Sequence, residues 1–165
     1  MTIDPREYRA TIGLFATGVT VITADDGKQV RGMTANSLTS VSLEPLLLLV
    51  CVDRKARMAP VISAATHFAV NILRTDQEAI ARHFAGRLQP DLEILFTELA
   101  GAPVLHDSLA TLVCRRDRIL DGGDHVIVLG QVVALRRAPE GEPLLYFAGS
   151  YRQLAEPSPT LAAAD

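Results

Sequence analysis

The chain has 165 residues, 48% of them hydrophobic and 21% charged, with a formal net charge of −3; this suits a single globular domain that buries roughly 70% of its unfolded surface. Mild acidity argues against a nucleic-acid binder, which would carry a strongly basic balance. The longest uninterrupted apolar run, Leu46 to Val52, falls far short of the ~20 residues that a membrane helix needs.

Met1 to Pro5 has no basic head leading into an apolar stretch, so no signal peptide is expected. Asp4-Pro5-Arg6-Glu7 has the form of a capping box with proline at the first helical position, and Tyr8, Ile12 and Phe15 then fall on one helix face. Val19 to Ala24 and Gln29 to Ala35 are β-rich runs around Asp25-Asp26-Gly27-Lys28, whose Asp-Gly pair signals a hairpin. Leu46 to Val52 has no polar interruption, the pattern of a strand covered on both faces. A weaker helix signal spans Lys55 to Ala64, with Pro60 expected in or near its first turn. His67 to Leu73 reads as a strand. Thr75-Asp76-Gln77-Glu78 is a second capping box, opening a helix with Ile80 and Phe84 inward and Gly86 as its stop.

Residues 87 to 103 carry few signals. Leu88-Gln89-Pro90-Asp91 reads as a loop, and Leu92 to Leu99 fits a short helix or an extended cover equally well. Thr111 to Leu120 and His125 to Leu135 are strands split by Gly122-Gly123, and Pro139-Glu140-Gly141 turns the chain into Pro143 to Phe147. The tail from Glu156 is expected to fray. Six or seven strands, with helices only as inserts, predict a mainly β fold: a closed or nearly closed barrel with peripheral helices. A strict βαβ alternation is absent, which disfavours a Rossmann domain. Residues 1–155 are expected to form one domain. Cys51 and Cys114 have no metal or redox spacing and read as small buried hydrophobes, so the cytoplasm is the expected compartment.

Motifs for phosphate-loop, dinucleotide-fold, serine-hydrolase and zinc-protease chemistry are absent, and the four histidines lack ligand spacing. A protein without such side chains either does no chemistry or borrows it from a cofactor. Three features could bind one. Gly32 to Ser42 is a strand turning into a second one, dense in hydroxyl and amide groups that could meet the polar edge of a planar ring; the plainer reading is a connection rich in local hydrogen bonds. Asp53-Arg54-Lys55-Ala56-Arg57 sets cations before a helix start, which suits either a phosphate or a solvated loop. Gly122-Gly123-Asp124-His125 ends in a histidine that alone says little.

Taken in order, these features resemble the flavin reductase-like family with the FMN-binding split barrel, the reductase components of two-component flavin monooxygenases. The stretches that carry the likeness are Phe15 to Val21, Gly32 to Ser42, Pro45 to Arg57, Phe68 to Leu73, His83-Phe84-Ala85, Gly123-Asp124-His125, and Leu144-Leu145-Tyr146 with Gly149 and Tyr151. Together they cover Asp4 to Leu154, apart from residues 87 to 110. The resemblance implies a split barrel of about six antiparallel strands of Greek-key type, a homodimer, FMN or FAD as cofactor, and NADH or NADPH as hydride donor. It further implies a monooxygenase that receives the reduced flavin, and no metal. By the same resemblance, Thr34, Ala35, Asn36 and Ser37 line the isoalloxazine, with Ser40 and Ser42 close behind. Cys51, Val52, Asp53 and Arg54 run beside the ribityl chain, with Lys55 and Arg57 near the phosphate. Phe84 and Ala85 close over the flavin. His125 faces the nicotinamide and positions it, and Tyr146, Gly149 and Tyr151 shape that side of the cleft. Met58 stands where relatives often carry Ser or Thr, which removes one phosphate hydrogen bond. A flavin carrier, electron-transfer module or redox sensor without a nicotinamide site, and a flavin-free oligomeric barrel, are the competing readings. Hydride transfer needs stacked rings with reacting atoms about 3–3.5 Å apart and no acid or base on the hydride itself, so few catalytic side chains are expected.

Overall fold

The computed structural model describes residues 2–155; the expected fraying from Glu156 onward lies outside the described residues. Helix α1 (Pro5–Ile12) begins where the Asp4 carboxylate accepts a hydrogen bond from the backbone N–H of Arg6 at 2.8 Å, and Pro5 occupies a position whose N–H would have no helical partner. The helix stops at Gly13, so Phe15 lies beyond it, and none of its residues is buried. Tyr8 and Ile12 face outward, as do Leu14 and Phe15 after them.

The strands follow as β1 (Thr17–Gly18), β2 (Thr20–Asp25), β3 (Val30–Ala35), β4 (Thr39–Leu43), β5 (Leu46–Asp53), β6 (His67–Ile72), β7 (Phe96–Leu99), β8 (Ala102–Leu105), β9 (Ala110–Gly122), β10 (His125–Arg137), β11 (Leu145–Phe147) and β12 (Ser150–Arg152). Helix α2 (Met58–Ala64) follows β5, and α3 (Glu78–Phe84) follows β6 behind a 3-10 turn at Thr75–Gln77. Seven strands make one antiparallel sheet in the order β3-β2-β6-β9-β10-β5-β4. Its two end strands are neighbours in the chain, joined only by residues 36–38, a link that spans at most ~14 Å.

Helix α2 packs against β2 and β3 as well as β5, although these belong to opposite ends of the sheet. Met33 and Ala35 of β3 likewise join Val50, Val52, Val126 and Val128 in one apolar cluster. The sheet is therefore curled into a barrel that stays open along a single seam between β3 and β4. This is the split barrel expected from the sequence, built on seven strands. Among the described residues no helix is long and apolar enough to cross a membrane.

Several local expectations change. Strand β5 is fully covered on one face only: Leu48, Val50 and Val52 are buried, while Leu47, Leu49 and Cys51 are half-buried. The outward face continues on β10, where Leu129 and Ile127 stand opposite Leu49 and Cys51. Apolar residues on both faces erase the alternation that would have marked the outer one. Helix α2 starts at Met58, and Pro60 is its third residue, where no intrahelical N–H bond is lost. The box expected at Thr75 forms instead between Arg74 and Gln77, because the Gln77 amide oxygen accepts from the Arg74 N–H at 2.9 Å. Helix α3 then begins at Glu78, with Ile80 and Phe84 packed inward as expected. The undecided stretch from Leu92 forms no helix: residues 92–95 have no regular structure, and Phe96–Leu99 pairs with β8 as strand β7.

One buried polar side chain holds the barrel wall together. Asn71 donates to the carbonyl of Val21 at 2.9 Å and to Thr23 Oγ1 at 3.0 Å, and it accepts from the Leu105 N–H at 3.0 Å and Thr111 Oγ1 at 3.3 Å. Both halves of its amide are satisfied, so a polar group in the core costs little.

Candidate active site

The seam exposes the outer edge of β3, which pairs only with β2. An unpaired strand edge presents backbone N–H and C=O groups in alternation. Hydroxyl groups fix this edge in place. Thr34 Oγ1 donates to the Ala81 carbonyl of α3 at 2.7 Å, and Thr20 Oγ1 donates to the Ala35 carbonyl at 2.7 Å. Ser37 acts as a strand partner for β5: its hydroxyl accepts from the Cys51 N–H at 3.0 Å and donates to the Cys51 carbonyl at 3.2 Å. The 36–38 link is thereby pinned to the opposite side of the seam.

Three hollows meet at this edge. A pocket of about 170 Å3 is lined by Thr34, Ala35, Asn36, Ala85, Tyr146 and Tyr151, with Val19 behind them. Tyr146 and Tyr151 face each other across β11 and β12, their rings edge-on with centroids 5.4 Å apart. The turn between these strands, Ala148-Gly149, has both residues at positive φ, the geometry of a type I′ hairpin, and the Ala148 N–H donates to the Gly13 carbonyl at 2.8 Å. A larger cleft of about 820 Å3 runs from Asn36, Ser37 and Tyr146 to Gly149 and the Arg9 and Ile12 face of α1. On the other flank of β3, a groove of about 570 Å3 is lined by Arg31, Gly32, Arg57, Met58, His83 and Phe84. Here the Phe84 ring lies so close to Gly32 that a Cβ on residue 32 would sit 2.4 Å from it. The Arg31 Nε is buried and has no hydrogen-bond partner.

The hairpin between β9 and β10 forms a separate polar cluster. Gly123 occupies the first central position of its turn with φ +75°, the type II′ geometry that only glycine adopts without strain. Arg54 clamps it, donating to the Gly123 carbonyl at 2.9 Å and to Asp121 Oδ1 at 2.6 Å. His125 stands opposite Asp53 on β5, and its Nδ1 lies 2.7 Å from Asp124 Oδ1. The hydrogen bond to His125, and more weakly the charge of Arg9, hold the Asp124 carboxyl below the usual range. Arg9 lines the large cleft, and none of the hairpin's residues does.

The structure thus gathers Thr34, Ala35, Asn36, Ala85, Tyr146 and Tyr151 around one pocket, puts Ser37 and Gly149 in the adjoining cleft, and sets Arg57 with Phe84 in the groove beyond β3. It sets other sequence-derived residues elsewhere. The Val52 side chain is in the barrel core. Arg54 is committed to the hairpin, and Asp53 accepts from the Lys55 N–H at 2.7 Å. Ser40 and Ser42 line a different, apolar groove with Leu43, Leu46 and Leu48. Sequence reasoning passed over Arg9 and Arg31, single basic residues in unremarkable runs, and over Gly32 as the seat of Phe84. Among the described residues no group of His, Cys, Asp and Glu could hold a metal ion.

Residues 12–155 match the family described as flavin reductase like domain. The chain is 41% identical to an NADH-dependent FAD reductase of Streptomyces globisporus, over 93% of this chain and 89% of that protein. It is also 41% identical to the reductase component of the 4-hydroxyphenylacetate 3-monooxygenase of Thermus thermophilus, over 92% and 97% of the two chains. Among solved structures, the flavin reductase PheA2 in its native state superposes with a TM-score of 0.89 at 44% identity, covering 93% of this chain and all of that one. The NADH:FAD oxidoreductase SgcE6 of Streptomyces globisporus, in complex with NAD and FAD fragments, superposes with a TM-score of 0.84 at 41% identity, covering 94% and 98%.

Proposed function

Because the chain belongs to the flavin reductase-like domain family, we infer that it is an oxidoreductase that takes a hydride from NADH and reduces FMN or FAD. The observation that carries this reading is the ring-sized hollow at the seam, walled by Thr34, Ala35 and Asn36 on one side and Tyr146 and Tyr151 on the other. The residues present suit a flavin. The free edge of β3 offers backbone donors and acceptors to a planar heterocycle, and the unpartnered Arg31 Nε beside Arg57 offers cations to a phosphate. A bound flavin would supply the hydride acceptor.

The chain's own residues then hold and orient. Thr34, Ala35 and Asn36 grip the ring along β3, and Ser37 keeps the link in register. Phe84 and Ala85 cover the ring from α3, while Arg57, with Lys55 near it, takes the phosphate. Cys51 and Asp53 border the ribityl path on β5, where Val52 can contribute only backbone, and Arg54 acts by bracing the hairpin. His125 positions the nicotinamide, and Tyr146, Gly149 and Tyr151 shape the cleft that receives it. Ser40 and Ser42 stand behind, on the apolar groove.

The unit doing this is a single domain of residues 1–155 acting in the cytoplasm, and a flavin-dependent monooxygenase receives its product. It works as a homodimer: the outward Leu47, Leu49, Ile127 and Leu129 form an apolar sheet face of the kind that a second copy would bury. The test is to titrate the purified protein with FMN and FAD by fluorescence quenching, then to follow loss of dihydronicotinamide absorbance with NADH. Flavin binding with NADH oxidation is expected; binding without oxidation would leave a flavin carrier, and no binding would refute the reading.

A further inference from the structure

The groove lined by Arg31, Arg57 and Phe84 has one wall made of His83, Gly86 and Leu88, where the chain leaves α3. Gly86 turns the backbone out of the helix at φ +88°. Residues 88–93 then run to Ile94, which packs on the apolar cluster of Val21, Leu73 and Ala81. Within this stretch Gln89 and Leu92 are half-buried and the rest are exposed. Among the described residues, the stretch makes one hydrogen bond to the body of the protein: the Gln89 N–H donates to His83 Nδ1 at 3.2 Å. Its other bonds are local, from Gln89 Nε2 to the Arg87 carbonyl at 2.9 Å and from the Leu92 N–H to the Gln89 carbonyl at 3.3 Å. A segment held by so few contacts opens at small cost.

The single bond depends on where the ring carries its proton. Nδ1 accepts only in the neutral imidazole with its proton on Nε2; the imidazolium has N–H on both nitrogens and would face the Gln89 N–H as a second donor. Histidine is the side chain whose charge changes between about pH 5 and 8. The other charged groups around the groove and the stretch are Arg31 and Arg57, Arg82 in its ion pair with Glu78, Arg87, and Asp91 and Glu93.

We propose that residues 88–93 form a strap along the groove, latched by neutral His83 and released when that imidazole takes up a proton. Release frees Leu88 from the groove wall, so a ligand in the groove can leave more easily. The latch stands on this geometry alone; its effect on flavin rests on the reductase reading above.

The experiment follows hydrogen exchange of the peptide spanning residues 87–93 by mass spectrometry in the full chain, at about pH 8 and about pH 5.5. Wild type is compared with His83→Asn, whose amide oxygen accepts at both pH values, and with His83→Ala, which accepts at neither. All other charges are common to the three proteins. Wild type is expected to match His83→Asn at the higher pH and His83→Ala at the lower. The unlatched state should show roughly two- to tenfold less protection at Gln89, the net worth of one hydrogen bond. Wild type that tracks either variant at both pH values, or three identical profiles, would refute the latch. Should thermal melts show His83→Ala poorly folded, the comparison of wild type with His83→Asn decides alone. FMN release, read from recovery of its fluorescence, should be about two- to tenfold faster in His83→Ala than in His83→Asn, both uncharged at that position. Equal rates would refute gating of the groove, whereas wild type that binds no FMN would refute the reductase reading and leave the exchange result standing.

Discussion

Adding one methyl group at Gly32 tests whether Phe84 forms part of the flavin site. An ideal Cβ there lies 2.4 Å from Phe84 Cε1 and 2.5 Å from Cδ1. Non-bonded carbons rest at about 3.5–4.0 Å, so the ring must retreat by ~1 Å or swing aside. Phe84 is half-buried and ends α3, with its neighbours His83 and Phe96 meeting it edge-on at 5.1 and 6.3 Å between centroids. It can turn out into the groove, so Gly32→Ala should cost under ~1 kcal/mol of stability, offset by the lower entropy of the unfolded chain. Displacing an aromatic wall removes ~0.5–1.5 kcal/mol of contact with a bound ring, roughly a three- to tenfold loss of flavin affinity.

Gly130→Ala is the matched control. Its Cβ would meet Cys114 Cβ at 2.7 Å and Phe68 Cζ at 2.6 Å, and neither can yield: one is fixed to the β9 backbone and the other is fully buried. Overpacking there should cost about 1–3 kcal/mol, lowering Tm by roughly 2–4 °C for each kcal/mol, with the flavin affinity of folded protein unchanged. Flavin titration and thermal melts of both variants decide the matter. Wild-type flavin affinity in Gly32→Ala, or a fall in Tm matching that of Gly130→Ala, would refute the reasoning.

Ser37→Ala strips both partners from Cys51 on the seam side and should cost about 1–3 kcal/mol in chemical denaturation, with weaker flavin binding as the seam loosens. Asn71→Leu leaves the Leu105 N–H buried and unpaired and takes a partner from Thr23 and Thr111, so a loss of about 1–3 kcal/mol is expected, without a selective change in KM for NADH. His125→Ala should raise KM for NADH or lower kcat while flavin affinity stays near normal; a loss confined to flavin binding would move His125 off the nicotinamide side. Burial pushes the Cys114 thiol up from 9.0 to about 12. Below about pH 9 the thiol is protonated whether folded or unfolded, and stability is unaffected; between these values only the unfolded chain ionises, so stability falls by ~1.4 kcal/mol per pH unit. Alkaline denaturation curves of Cys114→Ala should lack this slope, and identical curves would show that the group does not contribute.

Much of the barrel was readable because its signals are local. The Asp25–Lys28 turn set the β2–β3 hairpin, and Gly122-Gly123 marked the β9–β10 turn, where a glycine at positive φ is required. Strand β5 misled because Leu47, Leu49 and Cys51 are apolar although they lie on its half-buried outer face, and periodicity cannot mark a face where both sides are apolar. Residues 92–99 were ambiguous because a two-stranded ribbon takes its shape from partner residues 102–105, a tertiary pairing. Of the site, the hydroxyl ribbon was visible as composition, yet composition could not show that Ser37 spends both its hydrogen bonds on Cys51 while Ser42 only caps the turn at Glu44. Arg54 and Arg57 looked alike in sequence; only the fold reveals that one is tied to a hairpin and the other is free to line a groove.

The tether between Ala35 and Thr39 sets the gape of the barrel by counting residues, much as the number of links fixes the reach of a chain. Swapping side chains along it alters what the opening touches and how firmly the tether is held, but not the greatest width it can span. Bulkier heterocycles would be admitted by inserting a residue into the tether, and shortening it would narrow the opening at the expense of the packing of Leu38 on the core.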